Sequence, residues 1–143
     1  MILIDANLLL YAYDASSPRH PAARQWLEAA LVGDDPVRFA LQSILGFVRI
    51  STNLTVFERP LRPVDAIATV ESWLSRPTAG FATPGERHWR ILAEVAQAGQ
   101  ARGAQLMDAH LAALAIEHGA TLMSTDRVFA RYPGLRFRNP IAA

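Results

Sequence analysis

Met1-Ile2-Leu3-Ile4-Asp5-Ala6-Asn7-Leu8 opens the chain, and its reading decides the fold. Ile2 to Ile4 is a short run without polar alternation, the pattern of a strand buried on both faces in a parallel sheet. Asp5 stops the run, and Asn7 is placed to cap a helix continuing through Tyr13.

Working outward, the same alternation of strand and helix repeats. Ser16-Ser17-Pro18 breaks the first helix. His20 to Val32 reads as a second, with Ala23, Trp26, Leu27, Ala30 and Leu31 on one stripe, Pro21 in its first turn and Gly33 at its end. Val37 to Leu41 reads as a strand and Gln42 to Thr52 as a helix. After the irregular stretch 53–62, a helix opens at Pro63 and runs to about Ser75, with Ile67, Val70, Trp73 and Leu74 expected inward. Gly80 to Thr83 is a short strand. Glu86 to Arg102 is a helix that Gly103 is expected to end. Leu106 to His118 is a helix closed by Gly119, followed by a buried strand, Ala120 to Ser124. Val128 to Tyr132 makes one helical turn, stopped by Pro133-Gly134, and Leu135 to Arg138 is the last strand. Such alternation predicts a mainly parallel sheet covered by helices on both faces, in one domain over 1–143.

Ligands of open parallel sheets bind outside the carboxyl ends of the strands. Asp5 and Asp126 fall at or just past two such ends. Asp108 lies in the first turn of the helix leading into the second of those strands, on the same edge. Three carboxylates from distant parts of the chain can therefore meet on one rim. Converging carboxylates repel, which raises at least one pKa unless a cation neutralises them. A hard divalent ion is the usual resolution, and it can polarise a phosphodiester and activate water. Each aspartate alone is equally readable as a cap or a turn residue.

Composition narrows the chemistry. The chain has 143 residues, 51% hydrophobic and 19% charged, with a net charge of +1 that does not announce a nucleic-acid binder. No cysteine is present, so a metal must sit on oxygen or imidazole ligands, which favours magnesium or manganese over structural zinc. All 14 basic residues are arginine, a bias that fits a GC-rich genome. Without lysine there is neither a P-loop nor a Schiff base. The early acid at Asp5 and the lack of an apolar run of ~20 residues lead us to expect a cytoplasmic protein without a membrane span.

At these residues the chain resembles the PIN-domain family, and especially its VapC toxins. Ile2-Leu3-Ile4-Asp5-Ala6-Asn7-Leu8-Leu9 looks like the family's first motif. Asp108-Ala109-His110-Leu111-Ala112-Ala113-Leu114-Ala115 looks like its third-acid helix. Ser124-Thr125-Asp126-Arg127-Val128-Phe129 looks like its fourth-acid motif. The similarity runs in order from Ile2 to about Pro140. It implies a three-layer α/β/α sandwich around a five-stranded sheet. It also implies a magnesium- or manganese-dependent ribonuclease acting on RNA, usually a homodimer, inhibited by a cognate antitoxin. By this resemblance Asp5, Asp108 and Asp126 are metal-binding acids, with Asn7 and Ser124 as supporting polar residues. The family commonly carries a Glu on the helix after the second strand, where this chain has Gly46.

Glu117 follows Asp108 by nine positions, a half-turn away at about 100° per residue, so Glu117 and His110 are read as surface or packing residues. Glu58 and Asp14 are weaker stand-ins for the missing acid. Arg49 and Arg127 are candidate contacts for RNA or for an antitoxin carboxylate, since the guanidinium fork suits both. Trp26, Trp73 and Trp89 are read as core or interface. The Leu8-Leu9-Leu10-Tyr11 helix and the Gln42 to Thr52 helix are read as a groove for an antitoxin helix. Two other classes compete. A phosphoaspartate enzyme would need an active-site lysine, which is absent. A PIN-like module that binds RNA or protein without cutting is kept open by Gly46.

Overall fold

A computed structural model describes residues 1–142. In chain order the elements are β1 (Ile2–Ile4), α1 (Ala6–Tyr13), α2 (His20–Val32), β2 (Val37–Phe39), α3 (Leu41–Ser51), α4 (Pro63–Leu74), β3 (Ala79–Phe81), α5 (His88–Ala98), α6 (Gln105–His118), β4 (Thr121–Met123), a 3-10 turn (Arg127–Arg131) and β5 (Phe137–Arg138). The strands lie in the order β3-β2-β1-β4-β5, and all four pairings are parallel. β1 is central: Ile4 aligns with Phe39 of β2 on one side and Met123 of β4 on the other. The chain first extends the sheet to one side of β1 and then returns to build the other, so β1/β4 is the topological switch point.

Successive strand residues face opposite ways. Leu3 and Leu122 therefore enter one core with Leu111, Leu114 and Phe129, under α5 and α6. Ile4 and Met123 enter the other with Leu8, Leu27, Phe39, Phe47 and Trp73, under α1 to α4. The result is the expected α/β/α sandwich. α6 is buried from Leu111 through Ala115, as suits a helix apolar on every side. It ends at Gly119, whose φ of 66° is a left-handed cap conformation.

Several local expectations change. Asp5, not Asn7, caps α1, because its carboxylate accepts the N–H of Ala6 while Asn7 is already helical. α5 stops at Ala98 rather than Arg102. The N–H of Ala101 bonds back to the carbonyl of Ala96, and Gln100, at φ 53°, reverses the chain before Gly103 is reached. The turn at 127–131 is 3-10 and begins one residue earlier. β2, β4 and β5 are shorter than read, since their ends pass straight into caps and turns, and β3 starts one residue earlier. Ile67 is 49% exposed and Trp89 76% exposed, so neither is core. Leu8 and Leu9 are wholly buried and cannot line an open groove, whereas Leu41 and Leu45 of α3 face outward. No helix among the described residues is long and apolar enough to cross a membrane.

Candidate active site

The rim at the carboxyl ends of β1 and β4 is organised by one hydroxyl. Ser124 follows β4 and is fully buried. Its Oγ donates to Oδ2 of Asp5 at 2.7 Å. It accepts from the backbone N–H of Asp126 at 3.0 Å and from Nδ2 of Asn7 at 3.2 Å. One donor and two acceptor sites are the whole capacity of a serine hydroxyl. Because its proton goes to Asp5, Asn7 must present its NH2 to Ser124. The carbonyl Oδ1 of Asn7 is then left buried without a partner.

Asp5 spends its other oxygen on the N–H of Ala6, at 2.8 Å. Burial is the main force raising its carboxyl above the ordinary carboxylate range; Ser124 and Ala6 pull it back, and Asp108 and Asp126 push it up. Asp108 is half-buried in the first turn of α6. Burial, then Asp126, raises its carboxyl too, and the Arg131 cation draws it down. Asp126 is exposed and caps the 3-10 turn, its Oδ1 accepting the N–H of Val128 at 3.0 Å.

The three acids are thus within one another's electrostatic reach, with Asn7 and Ser124 between two of them. Among the described residues, no three carboxylate or imidazole side chains are drawn together closely enough to hold an ion by themselves. The donor set is nonetheless all oxygen, and the partnerless Asn7 Oδ1 is a further one. Such a set fits a hard divalent ion that keeps several of its waters, as magnesium does, more than a fully protein-caged metal.

The remaining candidates lie elsewhere or stand apart. A Cβ built on Gly46 would meet only the Cβ of Ala6, at an ordinary 3.6 Å, so the position beside the start of α1 accepts a Cβ without a clash. Glu58 is exposed, and Asp14 accepts from the N–H and Oγ of Ser16 in the turn after α1. Arg127 is exposed next to Asp126. Arg49 is exposed in the last turn of α3, roughly 12 Å of helix from Leu41. His110 and Glu117 join a polar seam between α5 and α6, as packing residues. Nδ1 of His110 lies 2.8 Å from Nε2 of His88, whose Nδ1 is 3.7 Å from Glu117. Glu117 in turn accepts the N–H of Gly85.

Sequence reasoning missed His88, Arg131 and Tyr132. Tyr132 is 2% exposed and its hydroxyl donates to the carbonyl of Gln105 at the start of α6. Arg131 donates from Nε to the carbonyl of Gly99 at 2.8 Å. For Arg131 and Tyr132 the available signal was their place at the end of the short turn that Asp126 opens, but nothing in the sequence separates Arg131 from the other arginines.

The PIN domain family profile matches residues 2–135. The chain is 44% identical over 143 residues to Ribonuclease VapC37 of Mycobacterium tuberculosis, covering 99% of each chain. It is 40% identical over 141 residues to VapC ribonuclease Mb2897 of Mycobacterium bovis, covering 99% of this chain and 96% of that one. Among solved structures it resembles VapBC-1 from nontypeable Haemophilus influenzae, with a TM-score of 0.69 at 18% identity and 98% of each chain covered. Motif order, sheet order, acidic rim and these full-length similarities agree, and the chain belongs to the PIN-domain family, alongside the VapC ribonucleases.

Proposed function

We propose that this protein is a divalent-metal-dependent endoribonuclease, the toxin of a toxin–antitoxin pair working in the cytoplasm. The observation that carries the reading is the Ser124 hub. It ties Asp5 just past β1 to the backbone of Asp126 beyond β4, within electrostatic reach of Asp108 on α6.

Asp5, Asp108 and Asp126 are the residues that would hold magnesium or manganese, with water completing the shell. When bound, the ion supplies Lewis acidity and a water of lowered pKa for hydrolysis of a phosphodiester. The chain does the positioning. Ser124 and Ala6 fix the Asp5 carboxylate by hydrogen bonds to both its oxygens. Capping of the 3-10 turn fixes Asp126. Burial first, and then the neighbouring acids, raise the carboxyls of Asp5 and Asp108, and a bound cation would offset both effects. A homodimer and a cognate antitoxin complete the proposal, both carried by the family relationship.

The test is cleavage of labelled total RNA by purified protein with magnesium, with manganese and with EDTA, for wild type and Asp108→Asn. Metal-stimulated cleavage that Asp108→Asn removes, with an unchanged circular dichroism spectrum, is expected. Equal cleavage by both proteins would refute the assignment. Gly46 favours a second reading, a PIN-like module that grips RNA or protein without cutting. Metal-independent RNA binding with no cleavage under any condition would select it.

A further inference from the structure

We infer that Arg131 binds a phosphate of the RNA substrate, as a pre-set cation at the end of the turn that Asp126 caps. The inference rests on the nuclease reading above and adds to it a residue that its acids do not include.

Three observations carry it. First, Arg131 is already held. It is half-buried, its Nε donates to the carbonyl of Gly99, and it closes the 3-10 turn that Asp126 caps. The next residue, Tyr132, is buried and bonded to Gln105, and a Cβ on Gly99 would lie only 2.5 Å from its ring. The guanidinium is thus anchored through backbone and side chain alike.

Second, its charge is unspent. Among the described residues Arg131 makes no ion pair within 4.0 Å, and the terminal nitrogens of its fork make no hydrogen bond to protein. Third, it stands at the rim: Asp126 caps the turn that Arg131 closes, and the neighbouring Tyr132 is bonded to Gln105 in the first turn of α6, the turn that carries Asp108.

A cation kept close to acids but not paired with them suits a polyanionic substrate that must enter an acidic rim. The guanidinium fork matches two phosphate oxygens. Arg49 and Arg127 are exposed and their guanidinium groups make no hydrogen bond among the described residues, so each would lose more side-chain freedom on binding. Arg131 has already lost part of that freedom, which is the advantage of pre-organisation.

The test uses full-length Arg131→Gln and Arg131→Lys with a fluorescein-labelled single-stranded RNA. Binding is followed by anisotropy in EDTA over a salt series, and cleavage in magnesium is resolved into KM and kcat. The Gln variant keeps an amide able to donate to Gly99 while losing the charge. It is expected to bind about tenfold more weakly, with a salt slope shallower by about 0.7, the value for one phosphate contact on a single strand. KM is expected to rise more than kcat falls. The Lys variant keeps the charge without the fork, so its slope should persist while affinity drops a few-fold, and it carries the test if the Gln variant does not fold. Unchanged affinity and slope in both variants, with only a lowered melting temperature, would make Arg131 a structural brace and overturn the inference. If wild type binds RNA but never cleaves it, the nuclease reading fails while the anisotropy still decides on Arg131. If wild type neither binds nor cleaves, both fall.

Discussion

Replacing Gly99 by alanine should destabilise the protein, although the backbone there would accept it. Gly99 caps α5 at φ −85° and ψ −1°, a conformation open to any residue. On backbone grounds alone, alanine should stabilise by about 0.4–1 kcal/mol through the unfolded chain. The surroundings reverse the sign. The new Cβ would lie 2.5 Å from Cδ1 and 2.6 Å from Cε1 of Tyr132, and 3.2 Å from the carbonyl of Val95. That ring is buried, and swinging it aside gives up its hydrogen bond to Gln105. Overpacking of this kind costs about 1–3 kcal/mol, and the lost hydrogen bond about 0.5–1.5 kcal/mol more. The net expectation is a loss of about 1–3 kcal/mol, or roughly 4–10 °C in Tm for a domain of this size. Thermal unfolding followed by circular dichroism measures it. In a Tyr132→Ala background both clashing ring carbons are gone, so the same alanine should be neutral or mildly stabilising there. A Gly99→Ala protein that melts at or above wild type would refute the placement of the ring, and with it the brace on the start of α6.

Gly46→Glu should fold, because its Cβ meets only Ala6 at 3.6 Å. It should bind manganese several-fold more tightly than wild type by calorimetry, and equal affinities would contradict the idea of a vacated acid. Ser124→Ala strands the partners of a fully buried hydroxyl and should cost about 1–3 kcal/mol in urea unfolding. It also removes the hydrogen bond that holds the Asp5 carboxyl down, so the acid limb of the cleavage–pH profile should move to higher pH. The raised carboxyls of Asp5 and Asp108 contribute stability that is present below the ordinary carboxylate range and lost as pH rises through their folded values. In EDTA, Asp108→Asn should therefore gain on wild type in Tm as pH rises through that range. Magnesium at neutral pH should raise the wild-type Tm and leave that of Asp108→Asn nearly unmoved.

The sheet and its rim were legible because a buried parallel strand has a distinctive composition. Ile2 to Ile4 and the strand around Leu122 are apolar without alternation, and each is followed closely by an acid. The start of α6 and its end at Gly119 were legible for the same local reason. What escaped depends on tertiary contacts. Asp5 and Asn7 are equally good caps by residue type, and only the path of the backbone decides between them. Gln100 turns the chain in a left-handed conformation that residue preference assigns to Gly103. Trp89 has the periodicity of a core residue, yet α5 buries His88 and leaves Trp89 outside. Arg131 and Tyr132 gain their roles by reaching Gly99 and Gln105, 32 and 27 residues away along the chain.

A ribosome makes β1 long before β4, although the two are neighbours in the finished sheet. Until α6 is made, the growing polypeptide therefore carries Asp5 alone of the three, with neither Asp108 nor Asp126 yet in place. On the proposed reading, an interrupted product truncated before α6 is harmless to the cell that makes it. The destructive chemistry arises only once α6 and the turn beyond β4 have been made, which gives an inhibitor the time of that synthesis to be at hand.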